Sequence, residues 1–300
     1  MSLSLLLPED GVTGLLRGWP DEPHVFERGV TAFEETVTED FLANYAFSGC
    51  VPPQEIAVMK APGPSLNQNS HMTNGRTDAA KLRGLHSSGH TIRLGNLQRV
   101  VPYLAAVSQG IQQETGCSNY VHAFLTPPGN QGLRHHWDQQ MALVVQIAGI
   151  KRWPLWRPPV ESPMRDFNES WRVWRDHFVP EWEATGPDLV IDLRAGQTLL
   201  LPRGWVHNPH VAHKTRSSAH LTFAIRERTP LWLAEKLVAE AIKDPAFRRT
   251  IRPADITGPT LAERLRETRR ALHQHLDGLD PDALANTLRQ VAKTELEYTT

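Results

Sequence analysis

The sequence has only two cysteines in 300 residues, Cys50 and Cys117, too few for a disulfide framework. It has no apolar run approaching the roughly 18 residues of a membrane-spanning helix. Its start, MSLSLLLPEDG, has no basic residues and only a short apolar stretch before Pro8 and two acids, unlike a secretory leader. Charge of one sign is also lacking: 32 basic against 33 acidic side chains leave −1, without the basic excess of proteins that neutralise nucleic-acid phosphates. Internal repeats, low-complexity tracts, a P-loop and GxGxxG are missing as well. These absences predict a cytoplasmic protein with reduced thiols and with neither a membrane nor a nucleic acid as partner.

Histidine and tryptophan are plentiful, at fourteen and nine. The composition is otherwise that of a globular chain long enough to bury a core, 40% hydrophobic and 22% charged. Eight of the histidines fall between His122 and His220, which concentrates metal-competent side chains in one third of the sequence.

Apolar spacing in FEETVTEDFLANYAF predicts a short helix between Phe26 and Tyr45, with Thr31 as its cap. The stretch from Ala61 to Gly75, rich in Pro, Gly, Asn and Ser, reads as a loop over the surface or across a site entrance. Leu97, Val100, Val101, Leu104, Val107 and Ile111 predict an amphipathic helix over Asn96 to Thr115, ended by Gly116. From Tyr120 to Ile225 the texture changes to short apolar runs broken by Pro and Gly, the strands of a barrel or sandwich. An insertion from Arg157 to Pro187, carrying Trp171, Trp174 and Trp182, interrupts them. Beyond Thr229 the pattern is helical, with Thr229-Pro230 as one start, a capping box at Thr260 and Glu263, and Asp280-Pro281 opening the last helix.

His136-Trp137-Asp138 is the sharpest chemical signal. In a strand, residues i and i+2 share a face, so one imidazole and one carboxylate would project together. His207, in GQTLLLPRGWVH, stands 69 residues after Asp138 and supplies a third donor. Two histidines and a carboxylate on one side of a metal leave its other side open, as in non-haem Fe(II) oxygenases. His135, His210 and His213 are the rival ligands, His135 facing the opposite way from His136 and the other two following Asn208-Pro209.

The run LTPPGNQGLRHHWDQQMALVVQIAGIKRW (Leu125 to Trp153), with GQTLLLPRGWVH and SSAHLTFAI further on, resembles the JmjC-type cupin-like oxygenases of the ribosomal-oxygenase group over about residues 85–226. The resemblance implies a mainly β fold, a double-stranded β-helix in residues 1–228, followed by a helical dimerisation region at 229–300. It implies Fe(II) held by His136, Asp138 and His207, with 2-oxoglutarate and O2 as cosubstrates. The activity it implies is hydroxylation of an amino-acid side chain in a protein or a ribosomally made peptide, with N-demethylation and hydroxylation of a free amino acid as related outcomes. Lys151 falls where the family places a cation for the distal carboxylate of 2-oxoglutarate, with Arg152 as the fallback. Ser218 matches a serine lining the same pocket, and His220 either supports the site or packs in the core. Where many relatives have Asn-x-Tyr, this chain has His122-Ala123-Phe124, so an imidazole replaces one cosubstrate-binding group and a phenol is lost. A cupin-like binding protein without turnover and a zinc hydrolase are the competing readings; the ligand set argues against the first and the lack of a general base near the motif against the second. The tryptophan-rich insertion and the loop from Ala61 to Gly75 are expected to wall a groove for an extended polypeptide.

Overall fold

The computed structural model describes residues 2–28, 35–164 and 171–295, residues 171–176 by backbone alone. They divide into two compact units, Met1–Arg226 and Glu227–Thr300.

In the first unit ten strands form two sheets: β1 His24–Glu27, β2 Ile56–Met59, β3 Thr91–Leu94, β4 Asn119–Thr126, β5 Met141–Ala148, β6 Ile150–Trp156, β7 Leu189–Arg194, β8 Gln197–Leu201, β9 Val206–His207 and β10 Ser218–Ile225. The larger sheet has the order β1-β8-β5-β10-β4-β3-β2 and the smaller the order β9-β6-β7, with every pairing antiparallel. Consecutive strands such as β5 and β6 sit in different sheets, the winding of a double-stranded β-helix. A separate small hairpin pairs Met72-Thr73 with Arg76-Thr77 inside the segment read as a loop. Its turn is Asn74-Gly75, both at positive φ.

Period-two alternation decides what each face of the large sheet does. Along β4, Val121, Ala123 and Leu125 join Leu221 and Phe223 of β10 in the main core, together with Leu42, Leu82, Leu104 and Ile111 from the helices. A Phe223→Ala substitution there is expected to cost about 3–5 kcal/mol in chemical denaturation. The intervening Tyr120, His122, Phe124 and Thr126 line the interior between the sheets. At one end of that interior, Val144, Leu199 and Leu201 pack on Trp153, Leu155, Leu193 and Trp205. The β5–β6 turn depends on Gly149, whose φ is 68° and whose side-chain direction points at the Ser217 carbonyl oxygen. Gly149→Ala is expected to destabilise by more than the about 1–2 kcal/mol of a left-handed residue alone, because backbone and not a flexible side chain blocks the new methyl.

Several local expectations change. Phe26 lies in β1, and the helix after it spans Glu39–Ala46, its cap being Thr38, whose hydroxyl accepts from the Phe41 N–H. Thr31 lies outside the described residues. The helix expected from Asn96 begins only at Pro102: a 3-10 turn occupies Leu97–Arg99, Pro102 sits at the helix start where its missing N–H is harmless, and Gly116 ends the helix at φ 72°. The insertion carries a helix, Trp171–Thr185.

The second unit contains helices Pro230–Glu240, Leu261–Asp277 and Pro281–Thr294. Thr229 and Asp280 cap the first and last through their side-chain oxygens. The capping box at Thr260 does not form. Thr260 is itself helical, so the Glu263 N–H donates to the Thr260 carbonyl at 3.0 Å and not to its side chain, and the Thr260 hydroxyl donates to Asp255, a carboxylate also held by Arg252 and Arg264. None of the described residues forms a helix long and apolar enough to cross a membrane.

Candidate metal centre

His136 is not in a regular strand. It lies in the connection between β4 and β5 and is joined to β9 by a single antiparallel bridge, in which the His136 N–H donates to the His207 carbonyl at 3.0 Å and the His207 N–H donates back at 2.8 Å. That bridge enforces the expected alternation. His136 and Asp138 turn inward, while Trp137 packs outward with Trp156, Trp182 and Val206. Asp138 is anchored through its carbonyl, which accepts from the Gly204 N–H at 3.1 Å.

The donor atoms of His136, Asp138 and His207 all lie within 4.8 Å of one another, the one such cluster among the described residues. Nε2 of His207 stands 3.7 Å from Oδ2 of Asp138, and the two imidazole centroids are 4.1 Å apart. Nδ1 of His136 lies 2.7 Å from the Arg134 carbonyl and Nδ1 of His207 lies 2.9 Å from the Trp205 carbonyl. A carbonyl only accepts, so each Nδ1 carries a hydrogen and each Nε2 keeps its lone pair for the cluster, the usual way a ligating histidine is oriented. The chemistry of this donor set fits a divalent transition metal with open positions.

The rival histidines are employed elsewhere. His135 packs against Trp156 and Trp182 with Nε2 at 3.2 Å from the Asn208 amide nitrogen. His210 bridges to Gln131 and Arg152 through its backbone, and Nδ1 of His213 accepts from the Thr215 and Arg216 N–H groups.

Deeper between the sheets the lining becomes cationic and polar. Lys151 is 2% exposed, donates to the Thr126 hydroxyl at 3.0 Å, and has no acidic partner among the described residues. Burial pushes its pKa down to about 7. Thr126 also accepts from Thr91 at 3.1 Å, and the Ser218 hydroxyl oxygen accepts from Gln146 at 2.8 Å, which leaves the Ser218 hydrogen available. Between this group and the triad stand His220, stacked on Phe124 at 4.8 Å, and Trp153, whose ring is 5.6 Å from both His207 and His220. Burial, reinforced by Lys151 and His207, holds His220 neutral, far below the ordinary histidine range. A β-bulge between Ala219 and His220 sets this part of β10.

Arg152 is outside this interior. Its side chain is half-exposed and forms a bidentate ion pair with Asp192 at 2.7 and 2.8 Å. Arg152→Ala is therefore expected to leave a 2-oxoglutarate titration unchanged. His122 faces the interior, but its Nδ1 accepts from the Asn96 N–H at 3.2 Å; burial, then the Arg93 charge, pushes its pKa down to about 3.

Two lining residues escaped the sequence reading. Arg93 pairs in register with Phe124, its Nε is buried without a partner, and it lies near enough to Asp138 and Tyr120 to feel their charges. Tyr120, whose phenol burial pushes up, donates to Gln140 at 3.1 Å. Period two within TIRL and NYVHAFLT carried the signal for both.

Residues 93–231 match the family model described as JmjC domain. The chain carries a JmjC domain. Among curated proteins, the bifunctional lysine-specific demethylase and histidyl-hydroxylase NO66 of Drosophila yakuba is 32% identical over 170 residues, 56% of this chain and 24% of that protein. Its Drosophila persimilis counterpart is 28% identical over 215 residues, 69% and 30%. The chain thus spans under a third of the length of these relatives. Among solved structures, the Escherichia coli ribosomal oxygenase YcfD superposes with a TM-score of 0.51 at 15% identity, covering 88% of this chain and 68% of that one, a likeness of fold. The triad and Lys151 all lie within the JmjC domain.

Proposed function

We propose that this protein is an Fe(II)- and 2-oxoglutarate-dependent oxygenase that hydroxylates an amino-acid side chain within a polypeptide. The observation that carries the reading is the convergence of His136, Asp138 and His207, with both histidines tied by Nδ1 to carbonyls so that Nε2 faces the cluster. In this reading the three side chains hold iron from one side. Bound iron, with 2-oxoglutarate and O2, supplies the oxidation of an unactivated C–H bond. Lys151, Ser218 and Thr126 take the distal carboxylate of the cosubstrate, answering a buried cation that has no anionic partner. Trp153, Phe124 and His220 keep water from the space between. No general base is required of the protein. The curated relatives are named for histidyl hydroxylation and lysine demethylation, and YcfD is titled a ribosomal oxygenase, which supports a polypeptide over a free amino acid. The test is to incubate the iron-loaded protein with 2-oxoglutarate, O2 and ribosomal-protein peptides. A peptide gaining one oxygen with matching succinate is expected; equally efficient oxidation of the free amino acid alone contradicts the reading.

The same proposal includes a homodimer formed through the 229–300 helices and a cytoplasmic site of action. Leu265, Ile242 and Ile256 are 64%, 66% and 49% exposed, apolar surface that a second copy would cover. Both cysteines are free, Cys50 exposed and Cys117 buried. Light scattering is expected to give twice the chain mass, and a concentration-independent single-chain mass would remove the dimer.

A further inference from the structure

A cavity of about 490 Å³ lies on the His135 side of the segment that carries His136, lined by sequence neighbours of the metal ligands and not by the ligands themselves. Pro62, from the loop that precedes the small hairpin, forms one wall, and Val179 and Glu183 of the insertion helix form another. Ala61, Gln131, Arg134, Pro180, Asn208 and the ring of His135, already packed on Trp156 and Trp182, complete the lining. Its walls adjoin two metal ligands: Arg134 gives the carbonyl that orients His136 at 2.7 Å, and Asn208 directly follows His207. The volume falls within the roughly 300–1,000 Å³ of small-ligand sites.

Its charges are uncommitted. Arg134 and Glu183 are both exposed, and neither takes part in an ion pair among the described residues. The Asn208 amide oxygen is buried without a partner, and Gln131 spends its amide N–H on the Leu133 carbonyl at 2.9 Å, which leaves its oxygen as an acceptor. The cavity therefore offers one cation, one anion and amide acceptors around a small apolar wall. That is the complement of a peptide bearing two opposite charges, whose backbone N–H groups can reach the amide oxygens. A purely acidic or purely basic ligand would satisfy one wall and be repelled by the other.

We propose that this cavity holds the part of the substrate that flanks the reacting residue, a stretch of polypeptide with an acidic side chain facing Arg134 and a basic one facing Glu183. The proposal rests on the oxygenase reading and adds to it a sequence preference set outside the metal site. The position is suitable for that purpose, because a chain anchored here runs past the residues adjoining His136 and His207. Anchoring a neighbour fixes which C–H bond is presented to the metal.

The probes are four pools of acetylated, amidated hexapeptides: mixed-charge pools carrying one Asp and one Lys in all spacings, and pools that are all acidic, all basic or neutral. Binding is followed through the tryptophan fluorescence of the full-length protein, and 2-oxoglutarate consumption without peptide is measured separately. The mixed pool should bind best and lose its advantage at high salt. Arg134→Leu and Glu183→Leu should each cut that binding by about two- to fivefold, the range of partly exposed ion pairs, while Glu183→Leu leaves peptide-free 2-oxoglutarate consumption unchanged. Equal binding of the neutral and mixed pools, no effect of either substitution, or no binding of any pool overturns the proposal. If charge-dependent binding persists while no 2-oxoglutarate is consumed under any condition, the oxygenase reading fails and the cavity assignment stands. If consumption is intact and charge dependence is missing, the cavity assignment fails alone.

Discussion

Alanine in place of His136, Asp138 or His207 is expected to empty the centre of iron and to lower 2-oxoglutarate turnover by about 10³-fold or more. The magnitude follows from the several kcal/mol that a bound metal contributes to stabilising developing charge, about 4 kcal/mol being about 10³-fold in rate. Iron content by metal analysis and succinate release are the two measurements. The three substitutions should not be equivalent in stability. His207 is 2% exposed and its ring packs on Trp153 at 5.6 Å, so its loss opens a gap between the sheets. Asp138 has a side chain 45% exposed, and its truncation should leave folding nearly intact. Wild-type iron content in His207→Ala, with loss in His210→Ala, would move the third ligand to a side chain 3.4 Å from the Asn208 carbonyl and away from the cluster.

Lys151→Met is expected to act in opposite directions on binding and on stability. A buried lysine without an anionic partner costs the unliganded fold, so the isosteric apolar chain should raise its thermal midpoint. The same change should weaken 2-oxoglutarate by about 10²- to 10⁴-fold, the equivalent of about 3–5 kcal/mol for removing one side of a buried charge pair, while iron still binds. The pH dependence has a definite sign. With its pKa pushed down from 10.5 to about 7 by burial, Lys151 in the unliganded protein is charged below pH 7 and neutral above it. Pairing with a carboxylate requires the charged form. The wild-type dissociation constant for 2-oxoglutarate should therefore be flat below pH 7 and climb by up to about tenfold per unit above it. Over the same window the unfolded chain holds a proton that the native chain has released, so the stability of the unliganded protein should rise with pH. His220, Thr126 and the Phe124 ring face Lys151; His220 is held neutral far below this window, so among these groups a bend near pH 7 belongs to Lys151. Calorimetric titrations across pH in wild type and Lys151→Met check both signs, and the variant should be flat in each.

The triad was legible because a two-residue spacing and one distant histidine suffice to place three donors once a β core is expected. Its local setting was not: His136 and Asp138 alternate through one backbone bridge to His207 instead of a continuous strand, a tertiary contact that no local pattern contains. Lys151 was legible only through resemblance, since a Lys-Arg pair at a turn does not reveal which member points inward. The sheet register decides it, sending Lys151 to Thr126 and Arg152 to Asp192. Helix starts failed where the backbone took another local conformation, as when Thr260 entered the helical region with its carbonyl on the Glu263 N–H and when Pro102 divided one apolar stripe into a 3-10 turn and a helix. Arg93 was passed over because its setting, between Phe124 in register and Asp138 across the interior, is assembled by strands β3 and β4 and by a loop about 40 residues further on.

The most direct test of the central assignment is an anaerobic titration of the metal-free protein with Fe(II) and then 2-oxoglutarate, followed by absorption spectroscopy. A weak visible charge-transfer band is expected that appears only when both are present, saturates at one iron per chain, and is missing in Asp138→Ala. Lys151→Met should still take up iron but need far more 2-oxoglutarate to develop the band. Iron that binds without any response to 2-oxoglutarate, or a band that survives the loss of Asp138, would contradict that assignment.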